Sequence, residues 1–342
     1  MSAVLRRLHR PTRATRFDFM TTERPILIAT RGSALALAQT RMILAQCRQA
    51  FPELRFDFQI IKTTGDKLQT ASMSKTDPSL PKGLFTKELE VALLNGQADL
   101  AVHSLKDLPT ELPAGLVLGA TPQRADVRDV LIYRSAQHKE FRGFQPHLAL
   151  KDFPEGATIA TSSTRRKAQL LIARPDLNVV EIRGNVTTRM AKVAERGELD
   201  ATVLALAGIN RLNFTIAANG RLHGEGVPEG MLASVIDVTT MLPCVGQAAI
   251  GIEIRAGDAR LAKICERLNH FNTFQAVTAE RAFLHGMGGG CQSPVAAYAE
   301  IAGEIISMRA VSFRDGPARR GEGKRPIGEA AALGEELATR LR

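Results

Sequence analysis

The sequence contains no tryptophan and only two tyrosines. It is therefore poorly supplied with the flat aromatic surfaces on which nucleic-acid bases stack. Its four cysteines (Cys47, Cys244, Cys265 and Cys291) form no C-x-x-C pair, and its seven histidines form no H-E-x-x-H motif. Neither a disulfide framework nor a zinc site is signalled, and no metal is expected. Sparse, unpaired thiols without an export signal fit the reducing cytosol. No run of eighteen apolar residues occurs, which excludes an apolar membrane-spanning helix. The glycine-rich stretch GMGGGCQS matches neither the P-loop nor the dinucleotide fingerprint.

What remains is ordinary globular composition: 342 residues, 44% hydrophobic and 23% charged, enough for two or three domains. The net charge of +10 is uneven, with +4 in residues 1–19, +3 in residues 314–325 and +3 over everything else. The body is only mildly basic, so nucleic acid is not the expected partner and any cationic site must be local. Residues 1–19 lack the apolar core of a secretory signal. They faintly resemble an organelle transit peptide, but the favoured reading is a disordered extension or an upstream start with Met20 as the true first residue.

Strands and helices alternate, which predicts an α/β protein with largely parallel sheets. PILIAT is a buried strand, followed by a helix with Ser33 as its N-cap; LRFDFQIIKTT is a strand, and LFTKELEVALLNG a helix closed by Gly96. ADLAVHS is a strand, and Lys106–Pro109 leave its carboxyl end. Residues 67–82 form a polar loop. The pattern recurs: Ile28-Ala29-Thr30 is echoed by Ile159-Ala160-Thr161, and GQADLAVHS by GELDATVLALAG, in the same order. This suggests two similar α/β units starting near residues 25 and 155, with a ligand cleft between them. From about residue 267 the pattern changes. A helix runs into Gly288-Gly289-Gly290-Cys291, two strands turn at Gly303, and a final helix follows, which describes a small third unit.

Arginines stand where helices disfavour them. Arg31 follows a strand, Arg165 and Arg166 lie in a predicted first helical turn, Arg183 ends the predicted strand VVEIR, and Arg189 opens another helix. The positive end of a helix repels cations unless an anion sits there too, and carboxylates or phosphates suit guanidinium forks. The implied ligand is polyanionic. Asp107 shares the strand edge with these cations and could balance a positive charge on a substrate or shuttle protons. Cys47 and Cys265 read as core fillers, and Cys244 lies in an apolar joint. Cys291, between three glycines and Pro294, is either an incidental loop thiol or one presented to a cleft as nucleophile or anchor.

Several motifs together carry a resemblance: IATRGS at residues 28–33, KGLFTKELE at 82–90, VHSLKDLP at 102–109, TSSTRR at 161–166, RGNVTTR at 183–189, LALAGINRL at 204–212, VGQ at 245–247 and GGCQSP at 289–294. In these the sequence resembles the porphobilinogen deaminases (hydroxymethylbilane synthases) from about residue 25 to 300. The resemblance implies two periplasmic-binding-protein-like domains flanking a cleft, plus a small C-terminal α/β domain. Its division here is residues 20–122 with 249–266, residues 123–248, and residues 267–342. It implies a transferase that joins four porphobilinogens head to tail with loss of ammonia. The growing chain is tethered to a dipyrromethane cofactor bound as a thioether to Cys291, and Asp107 is the catalytic acid facing the electron-poor azafulvene. Cofactor contacts fall to Arg31, Ser33, Lys82, Ser104, Lys106, Thr161, Ser162, Ser163, Arg165, Arg166, Arg183, Gly184 and Arg189, and substrate contacts to Lys75, Arg31, Arg183, Arg189 and Arg211. A cytoplasmic monomer is implied, with no membrane or nucleic-acid partner.

The sequence departs from the family pattern in three places. The loop 67–82 is longer and lacks a glycine pair before Lys82, Ala248 replaces a glycine at an expected interdomain crossing, and Ser293 replaces an apolar residue. The competing reading is a non-catalytic anion-binding protein of the same two-lobed class, which explains the arginines but not Asp107 and Cys291.

Overall fold

Two five-stranded sheets with the same strand order form the framework of the chain's first two lobes. The structure is a computed structural model that describes residues 24–65, 84–138, 140–290, 293–314 and 316–342. The first lobe contains β1 (Ile26–Thr30), α1 (Ala34–Ala50), β2 (Phe56–Ile60), α2 (Lys87–Leu94), β3 (Leu100–Ser104) and β4 (Leu116–Ala120). The chain then crosses to the second lobe: β5 (Asp129–Arg134), β6 (Thr158–Ala160), α3 (Thr164–Ala173), β7 (Asn178–Val180), α4 (Val186–Glu195), β8 (Ala201–Ala205), α5 (Leu206–Arg211), a short pair β9 (Thr215–Ile216) and β10 (Leu222–His223), and β11 (Met231–Ile236). It returns through β12 (Ile250–Arg255) and α6 (Ala259–Leu268).

The first sheet runs β2-β1-β3-β12-β4 and the second β7-β6-β8-β5-β11. In each, the strand second from one edge is antiparallel to its neighbours and is the first strand after a crossing, β12 in one lobe and β5 in the other. The registers correspond as well: Ile250 pairs with Ser104, the last residue of β3, and Asp129 pairs with Ala205, the last residue of β8. The short sequence echo therefore reflects a repeated topology. The central strands read as nearly continuous apolar runs because they are covered on both faces. Ile28, Val102 and Ile252 pack under Ile43 and Cys47 of α1 and Ile264 and Cys265 of α6. Burial pushes the Cys47 and Cys265 thiols up to about 12, which suits core filling and not reaction.

The third unit contains α7 (Phe271–Gly286), the antiparallel meander β13 (Val295–Ala302), β14 (Ile305–Ser312) and β15 (Arg319–Pro326), and α8 (Ala330–Leu341). Both helices cover one face of the meander. Strand β15 is absent from the sequence-based expectation. It reads RRGEGKRP, without a β-branched or aromatic residue. The two middle positions of its inward face are glycines because α8 lies directly on the strand there: a Cβ at Gly323 would come within 2.8 Å of Leu333, and one at Gly321 within 3.4 Å of Leu337 and Leu341. A second correction concerns VVEIR. Strand β7 ends at Val180, so Arg183 lies beyond it. Past that point the Ser162 hydroxyl replaces the ladder, donating to the Ile182 carbonyl at 2.8 Å and accepting from the Ile182 N–H at 3.1 Å. Among the described residues no helix is long and apolar enough to cross a membrane.

Candidate active site

The carboxyl ends of β1 and β3 build the first half of the site. Strand β3 ends at Ser104 and the chain makes one 3₁₀ turn, Leu105–Asp107. Leu105 and Leu108 anchor that turn in a cluster with Ala249 and Val277. The turn is thereby fixed from below while Lys106 and Asp107 stay half-buried. Asp107 lines a pocket together with Arg31, Ser33, Phe85, His103 and Ser104. Its carboxylate forms no hydrogen bond or ion pair with any other described residue. The Arg31 guanidinium lies over the Phe85 ring, 4.2 Å from its centroid. Ser33 caps α1, its hydroxyl accepting from the Ala36 N–H at 3.3 Å. Ser104 exchanges hydrogen bonds with the buried Gln39 amide at 2.9 and 3.1 Å. The two hydroxyls expected to meet a ligand thus also have structural partners.

The second half stands at the ends of β6 and β7. Ser163 caps α3 and Asn185 caps α4, and the Thr161 hydroxyl accepts from the Ser163 N–H at 3.2 Å. The expectation that Arg165 and Arg166 need an external anion is corrected here. Their guanidiniums each lie 2.8 Å from Asp129, which is fully buried at the start of β5. Burial pushes the Asp129 carboxyl up, but the two guanidiniums outweigh it and hold the group well below the usual carboxylate range. One carboxylate does not balance the group, however. Arg189 stands close enough to Arg166 to feel it: burial lowers its pKa to about 10, with the Arg166 charge adding to the effect. Its Nε donates to the Gly184 carbonyl at 2.8 Å. Gly184 has φ +117°, a conformation open to glycine. Arg183 is exposed, 3.9 Å from Glu181.

The two halves approach each other over α5. A Cβ on Gly208 would lie 3.9 Å from both Leu35, in the first turn of α1, and Val186, at the start of α4. Gly208 is the third residue after β8, as Asp107 is the third after β3, so the duplicated framework carries its acid in one lobe only. Arg211, at the end of α5, reaches the return crossing and donates to the Ala248 carbonyl at 2.5 Å. Burial lowers its pKa to about 10. The Nε–H groups of Arg165, Arg166 and Arg211 are buried without a partner among the described residues. Four guanidiniums (Arg165, Arg166, Arg183 and Arg189) against the two carboxylates of Asp129 and Glu181 leave this side of the site electropositive.

Three sequence-derived candidates, Lys75, Lys82 and Cys291, lie outside the described residues. The approach to Cys291 is described. Gly288, at φ +65°, ends α7 in a Schellman motif, with its N–H on the His285 carbonyl at 2.8 Å and the Gly289 N–H on Leu284 at 3.2 Å. The first glycine of the triplet is thus a helix cap. Gly289 is a close approach, since a Cβ there would fall 2.0 Å from Ser293 Oγ. Sequence reasoning missed Asp129, Gln39 and Phe85, whose roles come from long-range pairing that no local spacing encodes.

Two family models match the chain: "Porphobilinogen deaminase, dipyromethane cofactor binding domain" over residues 26–263, and "Porphobilinogen deaminase, C-terminal domain" over residues 274–342. The chain is 42% identical over 320 residues to the porphobilinogen deaminase of Syntrophomonas wolfei, covering 93% of this chain and 95% of that protein. It is 43% identical over 318 residues to that of Moorella thermoacetica, covering 92% of each. With the Thermus thermophilus enzyme it shares 40% over 323 residues, covering 92% of this chain and 94% of the relative.

Proposed function

The chain belongs to the porphobilinogen deaminase family, and on that premise we propose how its own residues carry the family's reaction. That reaction joins four porphobilinogens head to tail with loss of ammonia, giving hydroxymethylbilane for tetrapyrrole biosynthesis. The dipyrromethane cofactor, when bound, supplies the primer for that chain and a covalent tether. The residues present fit such a group. A pyrrole chain carries acetate and propionate arms, and the second-lobe arginines hold more positive charge than Asp129 and Glu181 offset, with buried Nε–H groups still unpaired. In this reading Arg165, Arg166, Arg183 and Arg189 hold carboxylate arms, helped by the Thr161–Ser163 hydroxyls and the Gly184 turn. Arg31, Ser33, Ser104 and Lys106 hold arms at the first-lobe edge, and Arg211 does so beside the crossing. Lys75 and Lys82 are assigned from sequence alone.

One observation supports Asp107 as the catalytic group: its carboxylate lines the pocket and has no partner among the described residues. Loss of ammonia leaves positive charge on the substrate methylene and its ring. An unspent carboxylate at that point can stabilise the charge and accept the pyrrole N–H. Cys291 is the proposed thioether anchor. We also propose the three-domain division given above. A single chain carrying Asp107, Cys291 and both arginine groups supports a monomer as a sufficient catalytic unit, and its sparse cysteines support a reducing, cytoplasmic setting.

The test is the intact mass of the denatured protein together with turnover. Protein from cells making tetrapyrroles is expected to be heavier than its sequence by two linked pyrroles, and to release one ammonia per porphobilinogen consumed. An unmodified mass with no ammonia release would leave the non-catalytic anion binder as the better reading.

A further inference from the structure

Beyond the groups that face the pocket, α7 grips the Asp107 turn from behind. Arg281 on α7 donates to three consecutive carbonyls directly after Asp107: Leu108 at 3.2 Å, Pro109 at 2.6 Å and Thr110 at 3.2 Å. One helical turn earlier, the fully buried Val277 packs on Leu105 and Leu108, the residues flanking Lys106 and Asp107. Five residues beyond Arg281 the same helix ends, and its capped terminus leads through Gly288 to Cys291. Arg281 forms no ion pair with a carboxylate among the described residues. Burial lowers its pKa to about 10, opposed in part by the Glu253 charge.

A half-buried guanidinium spent on three backbone carbonyls does little for charge balance, but it fixes geometry. Arg presents its N–H groups as a rigid fork, so it sets both the distance and the direction of the segment it holds. Behind the turn, His103 Nε2 lies 3.0 Å from Glu253 Oε2, which ties β3 to β12 just before Ser104. The Leu105 N–H donates to the Ala249 carbonyl at 3.1 Å. The turn is therefore held to the sheet by β12 and to the third unit by Arg281.

We infer that Arg281 is a positioning residue for the reaction, one that fixes the Asp107 turn relative to the helix that precedes the proposed anchor cysteine in the chain, so that a chain tethered in the third unit presents its reacting end to Asp107. This inference rests on the function proposed above. Misplacing a catalytic group by about an ångström can cost on the order of a hundredfold in rate, so the effect belongs in kcat.

The experiment compares wild type, Arg281→Lys and Arg281→Met as purified holoenzymes, well below their melting temperatures. Wild type carrying two pyrroles and turning over secures the underlying reading independently of the variants. Both variants are expected to keep the pyrrole mass. Arg281→Met should lose at least tenfold in kcat with KM changed less than threefold, and Arg281→Lys, which keeps the charge and some of the donors, should recover part of that loss. A lowered melting temperature with kcat within twofold of wild type would make Arg281 merely structural and overturn the inference. So would loss of the pyrrole mass in both variants, which would place Arg281 in cofactor assembly. If Arg281→Met does not fold, Arg281→Lys decides alone: unchanged kcat overturns the inference, and a drop of threefold or more at constant KM upholds it.

Discussion

Arg211 donates to the carbonyl of Ala248 at 2.5 Å, and Ala248 is held there at φ +69°, a left-handed conformation that disfavours any side chain with a Cβ. This contact joins α5 of the second lobe to the segment through which the chain returns to the first. The strained residue is the one at which the resemblance leads one to expect glycine, so an alanine penalty sits at the crossing between lobes. Left-handed geometry costs a non-glycine residue about 1–2 kcal/mol. Ala248→Gly relieves that strain, while the added freedom of the unfolded chain takes back about 0.4–1 kcal/mol. The Cβ also packs beside Val127 and Ala207. The expected net change in denaturant unfolding is between zero and about 1 kcal/mol of stabilisation. Ala248→Val, which adds branching to the same strained backbone, is expected to destabilise clearly. A glycine variant less stable than the valine variant would refute the strain argument.

Asp129 gives a pH prediction. It accepts from Arg165, Arg166 and the Gln247 amide, so its ionised form is stabilised in the folded state. A depressed folded-state pKa contributes stability that is fully present above the unfolded value, near 4, and is lost as pH falls toward the folded value. Asp129→Asn leaves two buried guanidiniums uncompensated, at a cost of about 3–5 kcal/mol at pH 7. That penalty is expected to shrink steadily as pH drops below about 4. Unfolding titrations of both proteins at pH 7 and pH 3.5 check it, and a pH-independent gap would remove Asp129 from the charge account.

Asp107→Ala is expected to fold with wild-type stability, because the carboxylate supports no contact among the described residues. It should retain the pyrrole mass and lose at least a hundredfold in turnover, in keeping with removal of an electrostatic or acid–base group. Mass spectrometry and an ammonia-release assay on one preparation separate the two readouts. Activity near wild type would move the catalytic role elsewhere.

Gly334 stands at a close approach of α7 and α8. A Cβ there would lie 2.1 Å from the Ala279 carbonyl oxygen and 2.8 Å from the Phe283 nitrogen, both backbone atoms that cannot rotate away. Gly334→Ala must push the helices apart, an overpacking cost of about 1–3 kcal/mol. It should lower the melting temperature. Because α7 also carries Arg281, turnover is expected to fall with it, and an unchanged melting temperature would mean that the helices are not so closely seated.

The sequence alone determined the features that are local. Ser33 was legible as an N-cap because an N-cap is read within four residues, and Asp107 and the arginines because strand ends and helix starts leave a local pattern. The repeat was legible because duplicated strands kept their order. Only the tertiary structure showed that the anion beside Arg165 and Arg166 is Asp129, since that carboxylate arrives at helix α3 from strand β5, 36 and 37 residues away. Only the fold assigned Gly321 and Gly323 to a strand, because their information lies in the helix pressed against them. The same holds for Arg281, whose three acceptors lie more than 170 residues earlier in the chain. The physical reason is common to all three: hydrogen-bond and close-packing partners are chosen by distance in space, which sequence spacing does not encode once the partners sit on different elements of the fold.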